Sequence, residues 1–392
     1  MGYMVIRWLC AAAAAVLAAV MALFIYVIMV VRVPAPFVVL THVVSDFGLY
    51  LVPVGLSGFV LALIAFAPKG RVRVRRTAAV AGLVCLLGVL TAGLPLAASW
   101  GTAIRNDAKL SFRDYFAGER NVGAPVEALS TAYNTIDGQD LLLDVKLPAA
   151  ASDRPRPAVV WVHGGGWANG DRGEAPLWHK WLTDKGYAVF AIDYRMTPPP
   201  RWDQAPADVK CAVGWVKQQA AKYGVDPARV MIAGGSAGGN LALMGAYADD
   251  RVLPSCAVDD TRVKAVAAFY PMPDLAEAWR DSGLPGRMRT FLSDYTGGTP
   301  DQVPDRYKAA SPVTYIRPNV PPTLVMHGTR DHVAPYRGSV ELMERLRRVG
   351  VEGQLLAVPY GEHIYDFTWG DWGTQMSKHV FGTFLANHFP AN

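Results

Sequence analysis

The clearest chemistry in the sequence sits in Gly234-Gly235-Ser236-Ala237-Gly238-Gly239, one hydroxyl among residues with little or no side chain. The apolar stretch Arg229-Val-Met-Ile-Ala233 runs directly into it, and a helical apolar pattern follows from Leu241. A strand that turns sharply into a helix at a serine exposes the Oγ, and a crowded, strained turn admits only small flanking residues. A hydroxyl becomes a nucleophile when a base takes its proton and a third group holds that base in the right tautomer.

Two later loops offer those partners. His327-Gly328-Thr329-Arg330-Asp331 follows an apolar run over 323–326, and Gly361-Glu362-His363 follows another over 355–358. Asp331 is the expected orienting acid and His363 the expected base. Asp274 also lies beyond a strand but comes one strand too early. Of the spare histidines His327, His332 and His379, the first reads as a strand-end packing residue and the last as part of the final helix. Upstream, His163-Gly164-Gly165-Gly166-Trp167 ends the run 158–162 with consecutive unhindered backbone N–H groups. Gly164 and Gly165, with the N–H of Ala237, are the expected donors to an oxygen that turns negative when an acyl carbonyl is attacked. A phosphate loop would need GxxxxGK[ST], and no Lys follows. No HExxH or clustered His and Asp set points to a metal, and Cys211 and Cys256 form no CxxC. These two cysteines either pair as a disulfide outside the cytoplasm or stay as separate buried thiols.

Short β-branched or apolar runs over 141–147, 158–162, 187–192, 230–233, 263–269, 323–326 and 355–358 position these loops, with helical patterns over 207–223, 239–247 and 339–349 between them. Such alternation predicts an α/β fold, with a mostly parallel sheet flanked by helices and its chemistry at the carboxyl ends of the strands. Residues 271–310 are expected to fold as a cap, with Trp279, Met288, Phe291 and Tyr295 available to line an acyl pocket. Trp167, Trp279 and Phe291 are the candidate substrate-binding aromatics.

The first hundred residues obey a different solvent. Apolar segments over 8–31, 47–67 and 77–98 predict three transmembrane helices, the first too long for a signal peptide. Arg7, Arg32, Lys69, Arg71, Arg73, Arg75 and Arg76 stand there against Asp46 alone, so the remainder carries about one net negative charge of the chain's +5. Nucleic-acid binding is thereby excluded. The five basic residues at 69–76 are expected to stay cytoplasmic, which puts everything after about residue 99 outside a bacterial cell membrane. His42, Ser45 and Asp46 are expected at headgroup level, 101–125 as a connector along the membrane surface, and 126–392 as the catalytic domain.

At His163 to Trp167, Asp193-Tyr194-Arg195, Gly234 to Gly239, Ala310-Ser311-Pro312, His327-Gly328 with Asp331, and His363, the chain resembles the hormone-sensitive-lipase-like and acetyl-esterase branch of the α/β-hydrolases, including feruloyl-esterase-like members. The likeness spans about 130–390. It implies the α/β-hydrolase fold, with the acid and then the histidine following the serine, and an acyl-enzyme mechanism without a cofactor. It also implies structural roles for Asp193 and Arg195. Gly235 stands where that branch more often has an acidic residue, and Met196 where Leu is usual; the first difference favours the feruloyl-esterase-like and formamidase-like side. The helical module has no counterpart in soluble members. The expectation is therefore a membrane-anchored serine carboxylesterase acting on lipid or other acyl esters. An acyltransferase with the same triad and a non-catalytic binding protein on the same scaffold are the alternatives.

Overall fold

The computed structural model describes residues 2–30, 33–66, 71–118 and 126–391. Arg32 and Lys69 of the charge pattern lie outside them, as does 119–125 of the connector. The N-terminal module is built from α1 (Gly2–Met29), α2 (Val38–Phe47), α3 (Val52–Ala65) and α4 (Val72–Arg105). The runs Met4–Met29, Ala35–Ala65 and Val72–Arg105 are each long and apolar enough to cross a membrane. Even the shortest, 26 residues, rises about 39 Å against a hydrocarbon core of about 30 Å. The second run begins at Ala35 rather than 47, because the polar residues Thr41, His42, Ser45 and Asp46 sit inside a helix whose other residues are apolar. Short 3₁₀ turns at Ala35–Phe37 and Gly48–Leu51 flank α2, and α4 passes through Pro95 without a break.

Small residues let these helices approach closely. A Cβ at Gly58 would stand 2.5 Å from Cys85 Sγ. At one end of the bundle Arg7 donates to the Ala65 carbonyl at the C-terminus of α3, and Arg75 lies over the Phe66 ring. A short helix α5 (Phe112–Ala117) follows, N-capped by Ser111, with Tyr115 buried in a stack on Trp372, ring centroids 4.4 Å apart.

The remaining chain folds around eight strands: β1 (Leu129–Ile136), β2 (Gln139–Lys146), β3 (Arg156–Val162), β4 (Ala188–Ile192), β5 (Val225–Gly235), β6 (Val266–Phe269), β7 (Thr323–Gly328) and β8 (Gly353–Val358). Their order is β1-β2-β4-β3-β5-β6-β7-β8, parallel except where β2 pairs with β1 and β4. The sequence pattern does not show β1, an edge strand that buries only Tyr133 and carries Ser130, Thr131, Asn134 and Thr135. Between the strands come α6 (Pro176–Asp184), α7 (Gln204–Gln218), α8 (Ala220–Tyr223), α9 (Ala237–Tyr247), α10 (Leu275–Asp281), α11 (Pro285–Thr296), α12 (Pro304–Ala309), α13 (Tyr336–Arg348) and the closing α14 (Trp372–His388).

The strand side chains alternate between two cores. Val160, Phe190 and Ile232 pack one face with residues of α7 and α9, and Trp161, Met231 and Phe269 pack the other with Trp178 and Phe381 of α6 and α14. Cys211 and Cys256 are joined by a disulfide.

The helical module docks on the end of the sheet where the chemistry lies. Arg330 Nη1 donates to the Val27 carbonyl at 3.1 Å, Thr368 Oγ1 to Asp46 Oδ2 at 2.8 Å, and the Val33 N–H to His332 Nε2 at 3.4 Å.

Candidate active site

The turn between β5 and α9 holds Ser236 at φ 57° and ψ −121°, a conformation that L side chains rarely adopt. Close approach dictates its neighbour: a Cβ at Gly238 would lie 2.1 Å from the Val162 carbonyl oxygen and 2.4 Å from that of His163. The turn is fixed further by the Ser236 N–H donating to the Phe269 carbonyl.

His363 Nε2 lies 2.8 Å from Ser236 Oγ, and His363 Nδ1 lies 2.7 Å from Asp331 Oδ2. With a carboxylate at Nδ1, that nitrogen carries the proton, which leaves Nε2 free to accept from the serine hydroxyl. Asp331 is fully buried and heavily bonded. Its Oδ1 accepts from the N–H groups of Val333 and Ala334, and its Oδ2 also faces His327 Nε2 at 3.1 Å. Burial alone would raise its pKa, but the charge of His363 and the hydrogen bonds from His327 and His363 outweigh that and hold the carboxyl well below the usual range. His327 is thus more than a strand-end packing residue. Both groups facing its Nε2, the Asp331 carboxylate and the Ala334 carbonyl, are acceptors, so Nε2 donates and Nδ1 accepts from Ser339 at 2.7 Å.

A second buried carboxylate, with no signal in the sequence pattern, lies behind His363 through Tyr270. Asp366 accepts from Tyr270 Oη and Trp178 Nε1, both at 2.7 Å, and the Tyr270 ring stands edge-on to His363. Burial holds the Asp366 pKa above the ordinary value. His332 is engaged by Glu362 at 2.5 Å, and burial, which disfavours its charge, is outweighed by that carboxylate, so its pKa stands above the ordinary value. Asp274 caps α10 through the N–H groups of Ala276 and Glu277 and does not reach His363.

The glycine loop is arranged differently from expectation at one position. The N–H of Gly164 donates to Glu174 Oε1 at 3.0 Å, which commits it to a side chain ten residues on. Burial raises the Glu174 pKa. Gly165, at φ 97°, has no room for a Cβ, which would lie 2.0 Å from the Asn169 carbonyl oxygen. Among the described residues, the N–H groups of Gly165 and Gly166 donate to no acceptor, and the N–H of Ala237 is one of the unpaired donors in the first turn of α9.

These groups open into a cavity of about 620 Å³ lined by Gly164 to Trp167, Glu174, Ser236 and His363, with Met272, Leu284, Met288, Phe291, Ile364 and Phe367 as apolar walls. Phe291 and Met288 of α11 line it. Trp279 does not: it is turned away on α10, edge-on to Tyr307 with Arg289 over its other face. Trp167 is fully buried and stacks on Tyr295, ring centroids 4.4 Å apart, so its ring shapes the wall from within the core. Arg195 pairs with Asp208 and Asp193 with Arg172, away from the cavity. Among the described residues no three His, Cys, Asp or Glu side chains are grouped to hold a metal ion.

An eight-stranded sheet of this order, with a serine on a strained strand-to-helix turn and a His–Asp pair from the later loops, defines an α/β-hydrolase. Solved structures agree: the apo form of esterase 2 from Thermogutta terrifontis superposes with a TM-score of 0.58 at 27% identity, over 70% of this chain and 99% of that one. A butyrate-bound form of the same esterase gives 0.57 at 28% identity, over 66% and 94%. The BD-FAE family model matches residues 143–346, just over half of the chain, and the protein belongs to that family. Esterase LipC of Mycobacterium tuberculosis is 36% identical over 256 residues, 62% of this chain and 61% of its own length, and esterase LipQ of the same organism is 34% identical over 236 residues, 58% and 55%. The chain thus spans little more than half the length of these curated relatives.

Proposed function

We propose that the protein is a membrane-anchored serine carboxylesterase whose catalytic triad is Ser236, His363 and Asp331. The relay Ser236 Oγ···His363 Nε2 at 2.8 Å and His363 Nδ1···Asp331 Oδ2 at 2.7 Å carries this reading. In the proposed cycle Ser236 Oγ attacks the ester carbonyl carbon as its proton passes to His363 Nε2. The carbonyl oxygen becomes an oxyanion facing the N–H groups of Gly165, Gly166 and Ala237. The tetrahedral intermediate collapses, the C–O bond to the alcohol breaks, and His363 returns the proton to the departing oxygen. Water, deprotonated by His363, then attacks the acyl-enzyme and releases the acid. Asp331 keeps His363 in the accepting tautomer and stabilises its cation. The esterase names of the relatives, and the butyrate bound to the Thermogutta terrifontis enzyme, support an acyl ester as substrate.

Three apolar runs, the basic residues Arg71, Arg73, Arg75 and Arg76 at the end of the bundle remote from the site, and the disulfide support a catalytic domain on the outer side of a bacterial cell membrane. The test is hydrolysis of p-nitrophenyl butyrate by the full chain in detergent, with fluorophosphonate labelling of Ser236. Ser236→Ala is expected to abolish labelling and lower kcat by roughly 10⁴- to 10⁶-fold. A folded wild-type protein that turned over no ester would overturn the reading.

A further inference from the structure

The cavity over Ser236 is not closed by the catalytic domain alone. Ala35, Val38, Val39 and His42, from the start of the second apolar run, line the same space as Ser236 and His363. Val39 is 73% exposed and still borders the cavity, so it stands at the mouth. Phe367, from the loop after His363, is 44% exposed and belongs to the same lining. The Thr368–Asp46 hydrogen bond lies beside this mouth, and the Arg330–Val27 bond holds the loop that bears Asp331, so the domain and the helices meet as one rim. An apolar rim on a run long enough to cross a membrane faces acyl chains rather than water.

A polar group waits inside this apolar surround. His42 Nδ1 is buried and has no hydrogen-bond partner among the described residues. Its neighbours along the cavity wall include Val38, Val39 and Ala35. His42 also lines the cavity, and its imidazole is the polar group that α2 brings to this wall. An imidazole nitrogen can accept from a hydroxyl, or donate to an oxygen when it carries a proton.

We infer that α2 forms part of the substrate site, so that long-chain acyl esters enter from the lipid phase between Val39 and Phe367 and the His42 imidazole binds a polar group on their alcohol portion. The chemical class is an acyl ester of a polyhydroxy alcohol, such as a monoacylglycerol. This inference rests on the esterase reading and adds to it the source of the substrate and the residues that select it. It also explains why the helices dock at the catalytic end of the sheet instead of acting as a remote tether.

The experiment uses the full chain in lipid nanodiscs, with 1-monooleoylglycerol in the bilayer and p-nitrophenyl butyrate in solution as paired probes. Val39→Trp narrows the mouth and is expected to lower kcat/KM for monooleoylglycerol relative to butyrate by roughly tenfold. His42→Ala is expected to raise KM for monooleoylglycerol by about tenfold with a much smaller effect on kcat, and His42→Gln, which keeps a hydrogen-bonding group, to recover part of that loss. Equal changes for both esters in every variant, or no change in either, overturn the inference and leave the esterase reading standing. Wild-type protein that hydrolyses neither ester overturns both.

Discussion

The helical module and the catalytic domain fill their interiors differently. Between α1, α3 and α4 the small residues Ala14, Ala18, Ala62, Ala81, Cys85 and Ala92, with Gly55, Gly58, Gly82 and Gly88, are buried beside Met21, Phe24, Val27 and Ile28 of α1. Around the sheet the buried side chains include Trp161, Trp178, Phe190, Phe269 and Phe381, together with the carboxylates of Asp208, Asp331 and Asp366. In the membrane-anchored reading, helices surrounded by lipid gain nothing from hiding apolar area from one another, so close backbone contact through small residues holds them. A domain in water gains from burying large aromatics, and it can bury a carboxylate wherever donors surround it. A single added methyl group therefore costs most where the neighbouring atoms are sheet backbone.

Gly238→Ala makes the severest case. Its Cβ would meet the carbonyl oxygens of Val162 and His163 at 2.1 and 2.4 Å, and Val162 is locked to Gly234 in the β3–β5 register. The expected result is a loss of about 4 kcal/mol or more and of the cooperative thermal transition of the catalytic domain. A variant that melts like wild type would break the contrast at its strongest point.

Asp331→Asn comes next. The amide oxygen can still accept from Val333 and Ala334, so the fold is retained, but an amide cannot hold His363 in the same tautomer. Activity on p-nitrophenyl butyrate is expected to fall on the order of 10⁴-fold. The stability effect has a defined sign. A carboxyl whose folded pKa is depressed contributes stability that is fully present above its ordinary value of 3.8 and lost as the pH falls through the depressed one. The gap in Tm between wild type and Asp331→Asn should therefore be widest above that value and narrow in stronger acid.

In the module, Gly58→Ala places its Cβ 2.5 Å from Cys85 Sγ, which can rotate, and 3.0 Å from Leu17 Cβ, which gives way only if α1 moves slightly. The expected cost is about 1 to 3 kcal/mol, read as unfolding of the helices in detergent. Cys85→Ala removes the sulfur and should return much of it in the double variant. Independent, additive effects would show that the helices do not pack through this contact.

Much of the site is legible in the sequence because its parts are punctuated: Ser236, Asp331 and His363 each follow an apolar strand and a glycine. The order of those loops survives folding as the order of strands across the sheet. What stays hidden are contacts without a pattern. A carboxylate ten residues on takes the Gly164 N–H, and no motif announces it. Asp366 and His327 act through partners distant in the chain or easily read as packing. The choice between Trp279 and Phe291 depends on the phase and placement of two short helices, which two aromatics cannot reveal. The start of the second apolar run is hidden in the sequence, since His42, Ser45 and Asp46 read as interfacial, whereas in the fold Asp46 is partnered by Thr368. The strand β1 is missed because its exposed edge lacks an apolar alternation.

The smallest expected effect tests whether every buried carboxylate in the catalytic domain is provided for as Asp331 is. Glu277 on α10 is buried with its Oε1 unpartnered among the described residues. Burial, reinforced by Glu341, Asp274 and Asp281, pushes its pKa up from 4.5 to about 7. Here the sign is opposite to that of Asp331: the folded state favours the protonated form, so the contribution is fully present below pH 4.5 and lost as the pH rises through about 7. Gln imitates the protonated carboxyl. Glu277→Gln should leave Tm unchanged at pH 4 and, allowing for solvent screening, stabilise the domain by on the order of 1 kcal/mol above pH 7. Ester turnover should not change at either pH, because Glu277 does not line the cavity. The same stabilisation at both pH values would mean that the carboxylate is not the source of the strain, and that this domain tolerates a buried acid without donors as readily as one that has them.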